Sequence, residues 1–224
     1  KILGEDLARV CNNAMMFVNP KSLWLPGEVL FDLTNNTLSV YACDDYFAIC
    51  SKAQFTGNAD TFFVLNLNDI KGYTKDKEKH EGLEEFARRN KKDEILITHD
   101  GNGIINFASN TEAIAFEAGE YREDNWYVVE GLIFDPSVRP TWIQEFDSNP
   151  ERYSKLSQLK YNKNEHWIKW KFVETETGNL LVRFTVGPDI SGVIRPLSEP
   201  EKHYARMKGI DDGAEESASV SFPN

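Results

Sequence analysis

The stretch GEVLFDLTNNTLSVYACDDYFAIC, residues 27–50, sets the architecture. Val29, Phe31 and Leu33 alternate as one face of a half-buried strand, and Asn35-Asn36 supplies turn residues before Leu38, Val40 and Ala42 resume the alternation. Asp44-Asp45 makes a second turn into Phe47 and Ile49. The expectation is three short antiparallel strands. Upstream, Leu3, Leu7, Val10, Cys11, Ala14 and Val18 recur at helical spacing, with Lys1, Glu5, Arg9 and Asn12 on the opposite face, until Asn19-Pro20 ends the helix. One helix followed by three strands is therefore the basic unit.

Downstream, the unit recurs. Thr61 to Leu65 reads as a strand and Leu67 to Lys75 as a short helix, whose Leu67, Ile70 and Thr74 oppose Asn68, Lys71 and Lys75. The charged stretch Asp76 to Lys92 holds Leu83, Phe86 and Ala87, which predict a surface helix ending in basic residues. Strands follow at Glu94 to Thr98, Ile104 to Phe107 and Ala113 to Phe116, with Asp100-Gly101-Asn102-Gly103 as a turn. Glu117 to Asn125 reads as a linker and Tyr127 to Phe134 as a strand. Asn149-Pro150 opens a helix to about Lys160. The alternations Ile168-Trp170-Phe172 and Leu180-Val182-Phe184-Val186, and the run Gly192 to Leu197, complete a sheet. The repeated pattern gives an α+β chain of antiparallel sheets with helices on one side.

The chain has 224 residues, 41% of them hydrophobic and 12% aromatic, enough for one large or two small domains with a core. Cys11, Cys43 and Cys50 are an odd number without framework spacing, the pattern of buried free thiols. No apolar run reaches membrane-spanning length, and Lys1 opens directly into the helical pattern, so a soluble, cytoplasmic protein is expected. Its 25 Lys and Arg against 36 Asp and Glu give a net charge of −11. That balance argues against a protein gripping DNA by many phosphate contacts, but suits one acidic outside and basic only where it surrounds DNA.

In this order the elements resemble the DNA sliding-clamp family, the processivity factors of the DNA polymerase III β-subunit type. Residues 27–45 resemble the clamp hairpin that ends in an Ala-Thr-Asp type turn. Glu123-Asp124-Asn125-Trp126 resembles the connector between units. Ile133-Phe134-Asp135-Pro136, or else the Asn149-Pro150 helix with Leu156 and Leu159, resembles the Leu-containing helix of the C-terminal clamp domain. Residues 183–197, RFTVGPDISGVIRPL, resemble the closing hairpin. The likeness runs in patches from about residue 5 to 197 and includes three clear units, with a fourth compressed or absent between Glu117 and Asn149. It implies a clamp domain over 1–118, a shortened clamp-like domain over 119–198 and a flexible acidic tail over 199–224.

The resemblance also implies function. A short, divergent, phage-type member would close as a ring of identical chains, a trimer in preference to a dimer, with its helices lining a hole. It would surround double-stranded DNA without reading sequence, since phosphate contacts carry none. Lys1, Arg9, Lys71, Lys75, Arg152, Lys155 and Lys160 are the candidates to face DNA. Polymerase and clamp loader would dock short hydrophobic peptides at Val193, Ile194, Pro196 and Leu197, where Arg195 replaces a Met common in the family. No cofactor and no metal is implied. The sequence has no phosphate-binding Gly loop with Lys, no His-Glu-x-x-His and no zinc-spaced Cys pair. Asp44, Asp45 and Asp100 fall in turns, where Asp is favoured for backbone reasons. Two other readings stay open: a clamp-fold coactivator or clamp decoy without a ring, and a metal-dependent DNA-processing enzyme using Asp44 or Asp100.

Overall fold

Leu7, Val10, Cys11 and Ala14 bury one stripe of helix α1 (Gly4–Met15), and Glu5 and Asp6 in its first turn complement the helix dipole. The computed structural model describes residues 1–22, 24–141, 150–161, 167–175 and 178–196. Strand β1 (Ile2–Leu3) precedes α1, and β2 (Glu28–Thr34), β3 (Thr37–Cys43) and β4 (Phe47–Gln54) follow it as an antiparallel meander. Asn35 and Asn36 both take left-handed backbone, φ 52° and 59°, in a two-residue hairpin turn. Asp44 Oδ1 accepts the amides of Tyr46 and Phe47 at 2.8 Å each and forms the second turn.

The next unit comprises β5 (Thr61–Asn66), α2 (Leu67–Lys71), the hairpin strands β6 (Tyr73–Lys75) and β7 (Glu78–His80), α3 (Leu83–Arg89), and then β8 (Glu94–His99), β9 (Ile104–Ala108) and β10 (Ala113–Glu117). The two units exchange their first strands: β1 pairs antiparallel with β8, while β5 pairs with β2. Leu83, Phe86 and Ala87 are buried, as their spacing required. The helix expected over Leu67 to Lys75 stops at Lys71. Gly72 there takes a φ of 78°, which reverses the chain into the hairpin, so Lys75 stands on a strand.

After β10 come α4 (Glu123–Phe134), β11 (Arg139–Pro140), α5 (Pro150–Leu156), β12 (Ile168–Glu174), β13 (Leu180–Val186) and β14 (Ile190–Ile194). The strand expected at Tyr127 to Phe134 is thus part of a helix. Trp126, Val129 and Ile133 bury one helical face, and that packing overrides the strand preference of the Tyr-Val-Val run. The third helix-plus-strands group joins the first: β14 pairs with β4, giving one eight-stranded sheet in the order β11-β12-β13-β14-β4-β3-β2-β5. The seam is tight. A Cβ on Gly192 would lie 2.4 Å from Phe184 Cζ and 2.7 Å from the Ala48 carbonyl oxygen.

Strand alternation divides the apolar residues into two cores. On one side Val29, Phe31, Val40, Ile49, Phe184 and Ile194 pack with α1, α2, α3 and α5, and Ile95, Ile105 and Phe107 of the four-stranded sheet β1-β8-β9-β10 join them. On the other, Leu30, Tyr41, Cys50, Val64 and Val193 pack beneath Trp126, Val129 and Ile133 of α4. The expected one-sided helix layer holds for α1, α2, α3 and α5, with α4 added opposite. Ile168 and Trp170, which alternate with Phe172 as expected of a strand, are each 39% exposed, and the fully buried side chain of β12 is Val173.

Candidate functional site

The basic candidates on the helix side divide into tethered and free. The Arg9 guanidinium is largely covered, donating to Asp6 Oδ1 and to the Lys52 carbonyl, each at 3.0 Å, and lying 3.9 Å from Asp189. It ties α1 to β4. Lys155 donates to Asp44 Oδ2 at 2.9 Å, with its ammonium over the Phe17 and Phe47 rings at 5.6 and 5.5 Å, so it fastens α5 to the β3–β4 turn. Neither side chain is arranged to meet an external phosphate. Lys1 makes a solvent-exposed pair with Glu94 at 3.4 Å, an interaction of little strength. Lys71 ends α2, Lys75 stands in β6 and Lys160 follows α5; all three are exposed. Arg152 falls on α5, and its side chain lies outside the described residues.

Asn13 does not stand out in the sequence, yet it organises this side. Fully buried on α1, it donates through Nδ2 to Ser51 Oγ at 3.0 Å and to the Lys160 carbonyl at 2.9 Å, and accepts the Lys160 amide at 2.8 Å. One side chain therefore joins helix, sheet and the segment after α5.

On the opposite side α4 is pinned at both ends. Arg122 pairs with Glu28 at 3.3 Å, and Asn125 donates to the Trp24 carbonyl at 2.9 Å. At the C-terminal end the Arg183 guanidinium donates to the carbonyls of Leu132, Asp135 and Gly131 at 2.8, 2.7 and 3.0 Å, satisfying helix-end acceptors and matching the dipole. Beside this helix lies a cavity of about 330 Å³, lined by Trp24, Tyr46, Leu132, Leu181, Val193 and Arg195 among others. A wider groove of about 600 Å³ shares Leu132 and Leu181 with it and continues past Tyr127, which is 75% exposed.

Of the four positions expected in a peptide pocket, Val193 lines this cavity. Ile194 does not: the next residue on a strand faces the other way, and Ile194 is fully buried in the helix-side core. Pro196 follows β14, half-buried, and Leu197 lies outside the described residues, as does the tail.

Glu28, paired with Arg122 at the start of α4, is a perturbed carboxyl. Burial pushes it above the ordinary carboxylate range, with Arg122 pulling it back, and its Oε2 has no hydrogen-bond partner. Because the folded chain holds this proton more tightly than the unfolded chain, the linked stability is present below about pH 4.5 and is lost as pH rises through the raised folded value. Glu28→Gln removes the ionisation. Thermal unfolding from pH 4 to 8 should show the variant gaining on the parent as pH rises, and parallel profiles would reject this assignment.

The turn carboxylates serve the backbone. Asp100 Oδ1 accepts the amides of Asn102 and Ile104 at 2.7 and 3.0 Å, and these bonds hold its carboxyl below the usual range. Asp44 is engaged by two amides and Lys155, and Asp45 accepts from the Ser22 hydroxyl at 2.8 Å. Among the described residues no group of three or more His, Cys, Asp or Glu side chains is placed to hold a metal, and no helix is long and apolar enough to cross a membrane.

No protein-family model matches the chain, and no curated protein sequence does. Solved structures do match. A DNA polymerase III β-subunit sliding clamp from Bartonella birtlesii superposes with a TM-score of 0.58 at 9% identity, covering 92% of this chain and 64% of that one. The β subunit from DNA polymerase of Streptococcus pyogenes gives 0.55 at 8% identity, covering 88% and 64%. A Helicobacter pylori β clamp bound to a DNA ligase peptide gives 0.54 at 9% identity, covering 88% and 66%. At such identities the likeness establishes the fold, which is that of a DNA sliding clamp. The chain spans just under two thirds of the length of these clamps.

Proposed function

We propose that this chain, built on the sliding-clamp fold, is a processivity factor that assembles as a ring around double-stranded DNA and tethers a replicative DNA polymerase. The observation that carries the reading is the exchange of first strands between two helix-plus-strands units, with α1, α2, α3 and α5 kept to one side. That plan gives a curved sheet a helical inner lining. Its residues divide into a clamp domain over 1–118, a shortened one over 119–198 and a tail over 199–224. The strand β10 ends its sheet with no partner beyond β9 among the described strands, which suits pairing with a sheet edge of a neighbouring copy. With about two thirds of a three-domain clamp's length, three copies supply the circumference that two longer chains give, so a trimer is the favoured ring.

The ring works by topology rather than turnover, in the cytoplasm of a bacterium or a phage-infected cell. Lys71, Lys75 and Lys160 are exposed cationic positions on or beside the lining helices. Peptides from polymerase and clamp loader enter the cavity beside α4 at Val193 and Arg195. The likeness to a clamp holding a DNA ligase peptide supports that mode. Light scattering after gel filtration should give a symmetric oligomer, and loaded protein should stay on nicked circular DNA yet slide from the same DNA once linearised. A monomer equally retained on both would overturn the reading.

One finding favours a second reading, a clamp-fold interaction protein without a ring, such as a coactivator or clamp decoy. Arg9 and Lys155 are spent on internal contacts, in a chain of net charge −11. That reading requires a monomer which still binds clamp-directed peptides.

A further inference from the structure

The hairpin β6–β7 stands between α2 and α3, two helices on the same side of the large sheet. It leaves the body through a neck in which only glycine fits: a Cβ on Gly82 would lie 2.2 Å from the Gly72 nitrogen and 2.4 Å from the Ile70 carbonyl oxygen. Beyond the neck, every residue from Tyr73 to His80 is exposed. The arm is nonetheless ordered by its own contacts. Three rungs join its strands, Tyr73 with His80, Thr74 with Lys79 and Lys75 with Glu78, and the Tyr73 and His80 rings stack at 4.5 Å.

Its charge runs against that of the chain. Residues 71–80 contain four lysines against Asp76 and Glu78. Lys79 turns to Glu85 at 2.7 Å, whereas Lys71, Lys75 and Lys77 form no ion pair within 4 Å among the described residues. Lys77 sits at the tip with a φ of 70°, beside Asp76 at 50°. A two-residue turn of this kind favours Asn-Gly, and a lysine in left-handed backbone carries strain that glycine would relieve. The tip thus keeps a cation at a conformational cost, as functional positions do. No aliphatic side chain stands on the arm, and Tyr73, 41% exposed, has one ring face stacked on His80, so charge is its dominant surface feature.

We infer that the hairpin is an arm for the phosphate backbone of duplex DNA, with Lys71 at its root, Lys75 in its first strand and Lys77 at its tip. The inference rests on the reading that the helix side meets DNA. The test measures binding of the full chain to a labelled linear duplex by fluorescence anisotropy across a salt series. With Lys71, Lys75 and Lys77 all changed to Ala, the slope of log affinity against log salt should shrink by about 2 to 3, roughly 0.9 for each phosphate no longer neutralised. Lys77→Gly alone should shrink it by about 0.9 while unfolding at the same or a higher temperature, which separates weakened binding from a damaged fold. A parent that binds, with variants of unchanged slope, overturns the arm and leaves the DNA reading standing. A parent that binds no linear duplex even at low salt also overturns the arm, while the ring reading is decided separately by retention on nicked circular DNA.

Discussion

Replacing Arg183 by Met should lower the unfolding free energy by about 3 kcal/mol and release the C-terminal half of α4 from the sheet. Methionine keeps the stem that packs beneath the helix but removes donors to the carbonyls of Gly131, Leu132 and Asp135. A hydrogen bond from a charged donor contributes about 1.5–3 kcal/mol. Gly131 retains its bond from the Asp135 amide, and the other carbonyls regain some water, so the cost is nearer that of two such bonds than three. Urea unfolding measures the total. Hydrogen exchange localises it: amides of residues 126–135 should exchange at least tenfold faster, with α1 unaffected. Arg183→Lys should recover only part, since an ammonium cannot reproduce the guanidinium fork. Full recovery by Lys would show that charge near the helix end, and not the three-carbonyl geometry, holds α4.

Asn13→Leu should cost a similar amount, about 3 kcal/mol, for a different reason. Leucine nearly fills the space but leaves the Lys160 amide and carbonyl and the Ser51 hydroxyl without the partner they have in the folded chain. A buried polar group left unmatched costs about 1–3 kcal/mol. Ser51→Ala alone should cost about 1 kcal/mol, and the double variant less than the two singles added, because both remove the same bond. Strict additivity in urea unfolding would mean that Asn13 and Ser51 act independently.

Local pattern makes much of this fold readable from the residues alone. The two turns in residues 27–50 carry turn chemistry at Asn35-Asn36 and Asp44, and the strands either side alternate cleanly because one face meets a helix. The strand exchange is not readable. Ile2-Leu3 is too short to announce a strand, and its partner, Glu94-Ile95, lies some ninety positions on; only the tertiary structure brings them together. Residues 127–134 mislead because aromatic and β-branched side chains are common both in strands and on a helix face pressed against a sheet. Val193 and Ile194 are separable in principle, since the two-residue period of a strand sends neighbours to opposite faces. The ties of Arg9 and Lys155 are not, because an ion pair between distant segments leaves no trace in either. Arg183 and Asn13 look like ordinary polar residues for the same reason.

The three thiols are buried, Cys11 on the helix side of the large sheet, Cys43 and Cys50 beneath α4. Burial raises all three, and Cys43 and Cys50 are pushed up to about 12, so none presents thiolate to solvent near neutrality. A maleimide offered to the native chain has nothing to attack until a core parts. Single-cysteine versions therefore provide two clocks on one molecule: alkylation at Cys11 times the lifting of the helices, and alkylation at Cys50 times the departure of the connector on the reverse face.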